Sequence, residues 1–314
     1  MSQRRRLALV LLACAALAPA GGAAAACVNF SGASISVTYD PLSGQSRSDL
    51  VQPISLTAAR QTASPEPSAV VGQFVAQSGQ SQFRLGGHDG PVYTVVTNDG
   101  TTVIVGQSAP PLQQLQYFAV GFPNSPTHVT ETVGGLKLVV PGGQDVAAGT
   151  YQESLSVQYR CLAGGHDDVQ THGDAATQSA VLPVTITVPN KISANLAGGQ
   201  SRGQIDFGDF DQLSHRVSIQ VRSTGPYDLL ISSDNNGKML LDHAPKGADA
   251  DSTSIGYKLS YGGAAVSLGS QGRFDRTGVA GDDLDLVVTA DPVAKKRAGE
   301  YRDTLTVTFT PASI

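Results

Sequence analysis

The chain has 314 residues, with 21 Lys and Arg against 26 Asp and Glu and a formal charge of −5. No basic patch stands out, which argues against nucleic acid or an anionic membrane surface as a partner. Charged residues make up 15%, Trp is absent and there are 35 glycines, the composition of an extracellular, β-rich chain rather than a helical one.

Residues 1–26 carry a basic start (Arg4, Arg5, Arg6), an apolar run, and small residues up to Ala26. That order predicts a secretory signal peptide cleaved before Cys27. The run is too short and too rich in Ala and Gly to span a bilayer. A lipoprotein signal is disfavoured, since "AAAC" at 24–27 lacks its leucine and "LLAC" at 11–14 follows a very short apolar stretch. Cleavage removes three arginines and no acid, so the formal charge becomes −8. The remaining length suits two domains better than one. Cys14 leaves with the signal, and Cys27 and Cys161 are expected to form a disulfide in an oxidising compartment. Two free thiols are the alternative.

Three stretches occur twice in the same order. "YDPLS" at 39–43 is echoed by "FDQLS" at 210–214, "GPVYTVVTNDG" at 90–100 by "GPYDLLISSDNNG" at 225–237, and "AGTYQESLSVQYR" at 148–160 by "AGEYRDTLTVTFT" at 298–310. Each of the last pair alternates: Leu155, Val157 and Tyr159 in one copy, Leu305, Val307 and Phe309 in the other. Period two with Ser and Thr between predicts a strand with one core face. The Asn/Asp-Gly endings of the middle pair signal hairpins. Between the first two echoes of copy one, residues 61–83 ("QTASPEPSAVVGQFVAQSGQSQF") are Gln-, Ser- and Pro-rich at their start and are expected to form a long loop or an added hairpin. Short strands, frequent turns and no 3.6-residue period together predict an all-β chain of two tandem immunoglobulin-like antiparallel β-sandwiches.

Residues 108–126 ("SAPPLQQLQYFAVGFPNSP") crowd Leu115, Tyr117, Phe118 and Phe122 between prolines. Two readings compete. One is a core strand with Tyr117–Phe122 buried; the other is an apolar loop at a distal tip, exposed for adhesion. After Cys161 comes a polar loop, then "SAVLPVTITVPNKI" at 179–192, in which Leu182, Val184, Ile186 and Val188 alternate with Pro183, Thr185 and Thr187. This strand belongs to neither copy. Pro183 would cost one ladder bond near the strand's start.

Sites for chemistry are sparse. "GGHDG" at 86–90, "GGHDD" at 164–168 and His172 match no zinc spacing, so no metal is expected. "SSDNNGK" at 232–238 lacks the later Glu of a calcium loop and is expected to be a hairpin turn. The carboxylates of "GDDLDL" at 281–286 are expected on a solvated strand edge. No nucleophile or phosphate-loop motif is present, so neither a cofactor nor an enzyme is expected.

The stretches "IDFGDFDQLS", "VSIQVRSTGPYDLLISSDNNGKM", "IGYKLSYGG" and above all "AGEYRDTLTVTFTP" resemble the spore coat protein U domain family, the family of Csu-type archaic chaperone–usher pilus subunits. The likeness covers about 180–314 well and 27–178 in outline. The family often carries cysteines in this domain, and this copy has none. Subunits of that family have a sandwich short of its last strand, filled by an alternating N-terminal extension of the next subunit. The resemblance therefore implies that the second sandwich lacks its last strand and that Leu305, Val307 and Phe309 line an acceptor groove. It also casts Leu182, Val184, Ile186 and Val188 as a donor strand that completes copy one within the chain. The expected division is a tip domain at 27–178, a linker and donor strand at 179–190, and a pilin domain at 191–314. The partners it implies are a periplasmic chaperone, an outer-membrane usher, an adjacent pilin subunit and an unknown surface or receptor. The expected location is the periplasm in transit and then the cell surface. A spore or cell-coat structural protein of the same family and a secreted β-sandwich hydrolase are the alternatives.

Overall fold

The computed structural model describes residues 27–44, 47–61, 68–76, 83–84, 90–106, 116–123, 129–162 and 176–314. The expected signal peptide, Leu115, His172 and the Gly-His-Asp motifs apart from Gly90 lie outside them. The described residues are strands, turns and irregular backbone, with no helix.

The first half contributes β1 (Val28–Gly32), β2 (Ile35–Thr38), β3 (Leu50–Pro53), β4 (Leu56–Arg60), β5 (Ala69–Ala76), β6 (Phe83–Arg84) and β7 (Val92–Val96). Then come β8 (Ile104–Gly106), β9 (Phe118–Gly121), β10 (Thr130–Val133), β11 (Lys137–Val140), β12 (Gly149–Leu162) and β13 (Ala176–Val188). Their sheets run β1-β4-β10, β3-β11-β7-β6, and β2-β13-β12-β5-β8, with β9 also on β5. All enclose one apolar core.

β13 sits inside the third of these sheets. It pairs antiparallel with β12, from Gly149↔Val188 to Tyr159↔Ala176, and parallel with β2, from Val184↔Ile35 to Thr187↔Thr38. Its alternation places Leu182, Val184, Ile186 and Val188 in the core, each fully buried. Each such burial is worth about 1.5–3 kcal/mol. Pro183 faces outward opposite Ser154, and the β2 ladder begins one residue later, so its missing N–H falls before that ladder starts. At the far end, the Gln178 amide accepts from Phe30 N–H (2.8 Å) and donates to Phe30 C=O (2.9 Å), tying β13 to β1 as a paired strand would. Cys27 and Cys161 are joined as a disulfide at a Cα separation of 6.5 Å.

Two expectations need correction here. Residues 69–76 are not loop or added hairpin but β5, flanked in the sheet by β12, β8 and β9. Its run is buried on both faces, so it lacks the alternation that marks a half-exposed strand. Phe118 and Phe122 are core, 2% and 6% exposed, and so cannot serve as an adhesive surface. Phe118 packs edge-on to Phe30 and tilted against Phe74, while Phe122 carries the Arg60 guanidinium 4.7 Å above its ring. Gly72 makes room for Phe118, because a Cβ there would lie 2.7 Å from its ring. β13 begins at Ala176, three residues ahead of the expected linker and donor strand at 179–190, and ends within it at Val188.

The second half contributes β14 (Ile192–Leu196), β15 (Ser214–Ser223), β16 (Tyr227–Ser233), β17 (Lys238–Leu241) and β18 (Ser254–Tyr261). It continues with β19 (Ala264–Val266), β20 (Gln271–Phe274), β21 (Gly278–Ala290), β22 (Tyr301–Arg302) and β23 (Leu305–Pro311). One sheet runs β14-β15-β21-β18-β17-β22 with β19 on β18; the other is β20-β16-β23. The "SSDNNG" turn does not close a hairpin, since β16 and β17 lie in different sheets and the turn arches between them. Its counterpart in copy one does close one, with Thr97 N–H donating to Thr101 C=O (2.9 Å) and Val103 N–H to Val95 C=O (2.9 Å). Asp282 and Asp283 lie on β21 ahead of the stretch that pairs with β18 (Leu286–Ala290), so they are exposed with β15 on one side only, on a solvated strand edge as expected.

Candidate functional site

β23 repeats the pattern of β12, yet its surroundings differ. β12 has β5 on one side and β13 on the other, and its Leu155, Val157 and Tyr159 are 0%, 0% and 2% exposed. β23 has only β16. Its Leu305, Val307 and Phe309 pack on the second core and are only half-buried. The outer edge of β23 has no strand beside it among the described residues, although β14, an edge strand of the facing sheet, passes with Cα atoms within 8 Å.

A second difference matches the first. In copy one the residues before "YDPLS" form β2, which pairs with β13. In copy two the residues before "FDQLS" form no ladder, although Ile205 and Phe207 turn half-buried side chains onto the core. Thus the two segments that flank β13 in the first sandwich have counterparts in the second, and among the described residues both lack a strand partner on the side that β13 fills. This second flank was not among the expected site residues. The signal was present, because Ile205 and Phe207 alternate ahead of Phe210 as Ile35 and Val37 do ahead of Tyr39, set one residue further upstream.

The floor of this open side is aromatic. Phe309 lies 6.1 Å from Tyr227 and 6.0 Å from Tyr261 between ring centroids, and Phe274 closes the cluster. The two tyrosine hydroxyls lie 3.2 Å apart. Burial, and then the Tyr227 hydroxyl, push Tyr261 well above the usual tyrosine range. At the break between β22 and β23, Asp303 accepts from Ser233 Oγ (2.7 Å), Asn235 N–H (3.2 Å) and the Tyr257 hydroxyl. Burial, and then this carboxylate, hold Tyr257 above its ordinary range. Glu153 takes the matching place on β12 and accepts from the buried Tyr93 hydroxyl (2.6 Å). These tyrosines are neutral donors in structural pairs, and the site offers apolar surface and unpaired backbone rather than reactive groups. Among the described residues no group of three His, Cys, Asp or Glu is placed to hold a metal ion.

No family model matches the chain, and no curated protein matches it. Solved structures do. The chain is similar to a chain of the CsuC–CsuE chaperone–tip adhesion subunit pre-assembly complex from the archaic chaperone–usher Csu pili of Acinetobacter baumannii. Identity is 15% over 90% of this chain and 99% of that one, with a TM-score of 0.37. It is similar to the CupB6 tip adhesin from Pseudomonas aeruginosa at 13% identity, 92% and 95% coverage and a TM-score of 0.40. A third is CfaE, the adhesive subunit of the CFA/I fimbria of enterotoxigenic Escherichia coli, at 12% identity, 90% and 93% coverage and a TM-score of 0.39.

Of the other expected site residues, Leu182, Val184, Ile186 and Val188 come together in the first core, remote in sequence from Leu305, Val307 and Phe309. Tyr117 is half-buried just before β9.

Proposed function

We propose that this chain is an exported, non-enzymatic tip subunit of a chaperone–usher pilus, assembled by donor-strand complementation. One observation carries the reading: among the described residues, β23 and the Ile205–Phe207 segment both lack a neighbour where their counterparts β12 and β2 hold β13. A strand placed there would regain both ladders and cover Leu305, Val307 and Phe309. On this reading β13 is the donor of the first sandwich, supplied by the same chain. The second sandwich takes its donor first from a periplasmic chaperone and then, at an outer-membrane usher, from the N-terminal extension of the adjacent subunit. The first domain then stands at the fibre's end and contacts a surface. Phe118 and Phe122 take no part in that contact, because they are spent in the core.

The test is to fuse a second copy of residues 179–190 after Ile314 through a flexible linker and follow the melting of the second domain by calorimetry. Intramolecular capture gives an effective concentration in about the mM range when the linker spans the gap. The fused chain is expected to melt at higher temperature in its second domain alone. Replacing the added copies of Val184 and Ile186 with Asp should abolish the gain, since both would be buried. A second domain that melts identically with and without the added strand is already complete, and the reading fails.

A further inference from the structure

The two domains meet at a built junction. Lys191 Nζ lies 2.5 Å from Asp40 Oδ2. Ala148 N–H donates to Thr224 C=O (2.7 Å), and the Thr224 hydroxyl donates to Pro189 C=O (2.7 Å) while accepting from Lys191 N–H (2.8 Å). Asp145 pairs with Arg276 and accepts from Val279 N–H (3.0 Å), an approach that Gly278 permits, because a Cβ there would lie 2.9 Å from the carboxylate.

Two of the first-domain contacts come from repeated stretches. Asp40 follows Tyr39 in "YDPLS", and Ala148 opens "AGTY". The second domain has both again: Asp211 follows Phe210 in "FDQLS", and Ala298 opens "AGEY". The structure puts these repeats together at the end of the second sandwich away from Thr224. Phe210, Leu213 and Tyr301 share the small cluster around Met239, Ile255 and Ala290, and Ala298 and Gly299 line a hollow of about 450 Å³ with Asp242, His243 and Arg297. Asp211 is exposed and has no ion-pair partner among the described residues.

We propose that this end of the second domain docks the body of the following subunit, and that the contact copies the internal junction. The inference rests on the strand-acceptor reading and deepens it by naming the docking surface and the charge it selects. The register of β13 on β12 pairs Leu182 with Leu155 and Val188 with Gly149. Carried to copy two, an inserted strand sets its counterpart of Leu182 beside Leu305, where β23 begins; upstream of that point the chain crosses to β17 through β22, and a strand that keeps its direction leaves the sandwich at the end where Gly299 lines the hollow. Asp211 then receives a cation three residues beyond the last inward side chain, as Asp40 receives Lys191. One feature is reversed. Three residues before Ala148 stands Asp145, but three before Ala298 stands Lys295. The partner is therefore a sandwich domain preceded by an alternating strand, with Lys or Arg at the counterpart of Lys191 and an acid where this chain has Arg276. That reversal lets the outer contact discriminate against this chain's own second domain.

The experiment uses residues 27–314 with a second copy of residues 179–194 fused after Ile314. The added strand then starts near the right end, because Ala312 N–H donates to Pro226 C=O (3.0 Å) beside the junction. With the added strand present, Asp211→Lys is expected to lower the second domain's melting temperature by about 2–5 °C. Changing the added copy of Lys191 to Asp should restore it. Without the added strand, Asp211→Lys should leave melting unchanged. If the added strand raises the melting temperature but neither charge change alters the gain, the docking inference is overturned and the acceptor reading stands. If the added strand gives no gain, the acceptor reading itself fails.

Discussion

Tyr257 donates its hydroxyl to Asp303 at the point where the chain turns from β22 into β23. Its raised pKa, and those of Tyr93 and Tyr261, have a direct consequence for stability. Above about pH 10 an unfolded chain ionises these phenols while the folded chain keeps them neutral. Their contribution is thus complete below about pH 10 and is lost as pH rises through the folded values. Urea unfolding at pH 9 and pH 11 should show a fall in stability, and a smaller one in Tyr257→Phe; equal loss in both proteins would remove Tyr257 from this role. Phe118 gives a second prediction. Its ring meets Phe30 and Phe74, so Phe118→Ser should cost the first domain about 3–5 kcal/mol in urea unfolding. Unchanged stability with lost surface attachment would return Phe118 to the surface. Sequence allowed both outcomes for this residue, because prolines on either side mark loops whereas the alternation of Phe118, Val120 and Phe122 marks a strand. What decides between them is the gap left by Gly72 on a neighbouring strand, and a contact between strands far apart in sequence leaves no local pattern.

At the scale of elements, β13 was legible from four alternating apolar residues, and so was β23, because each buries one face. β5 was not legible. It is covered on both faces, so its run of Ala69–Ala76 lacks a period, and the Pro- and Ser-rich stretch before it reads as loop. The arch from β16 to β17 was mistaken for a hairpin for a related reason: the turn residues set the local backbone, while the sheet that each strand joins is set by distant partners. The element most exposed to test is β13. Ile186→Asp would bury an unpaired carboxylate between β12 and β2. The first domain is expected to lose several kcal/mol, enough to unfold it at 25 °C. Circular dichroism and protease resistance of the first domain check this, and a folded, protease-resistant variant would mean that β13 is dispensable to it.

At the scale of the whole molecule, one pattern is written twice and finished once. Both sandwiches carry the stretch that opens with "AG-x-Tyr" and goes on in alternation, both carry an apolar segment ahead of "YDPLS" or "FDQLS", and among the described residues only the first has a strand between them. The cores differ accordingly. In the second, the fully buried set is Ile219, Val221, Tyr227, Leu229, Ile231, Leu259, Tyr261, Leu286 and Val288, and many of the apolar side chains around it are only half-buried. The first core is larger, and few of the side chains at its margin are left half-buried. The repeats and the strand between them were legible in the sequence. The tie between the domains through Thr224 and Asp145 was not, because its partners lie in different copies and share no local motif.

The most direct measurement is amide hydrogen exchange on residues 27–314, comparing 149–162 with 301–311 by mass spectrometry. β12, bonded to β13 along Gly149–Tyr159 and to β5 along Ser156–Leu162, should exchange at the rate of global unfolding of the first domain. β23, open on one side, should exchange at least about tenfold faster and become protected, together with residues 203–209, when the added strand is fused after Ile314. Equal protection of 149–162 and 301–311 in the chain without the added strand would contradict the account.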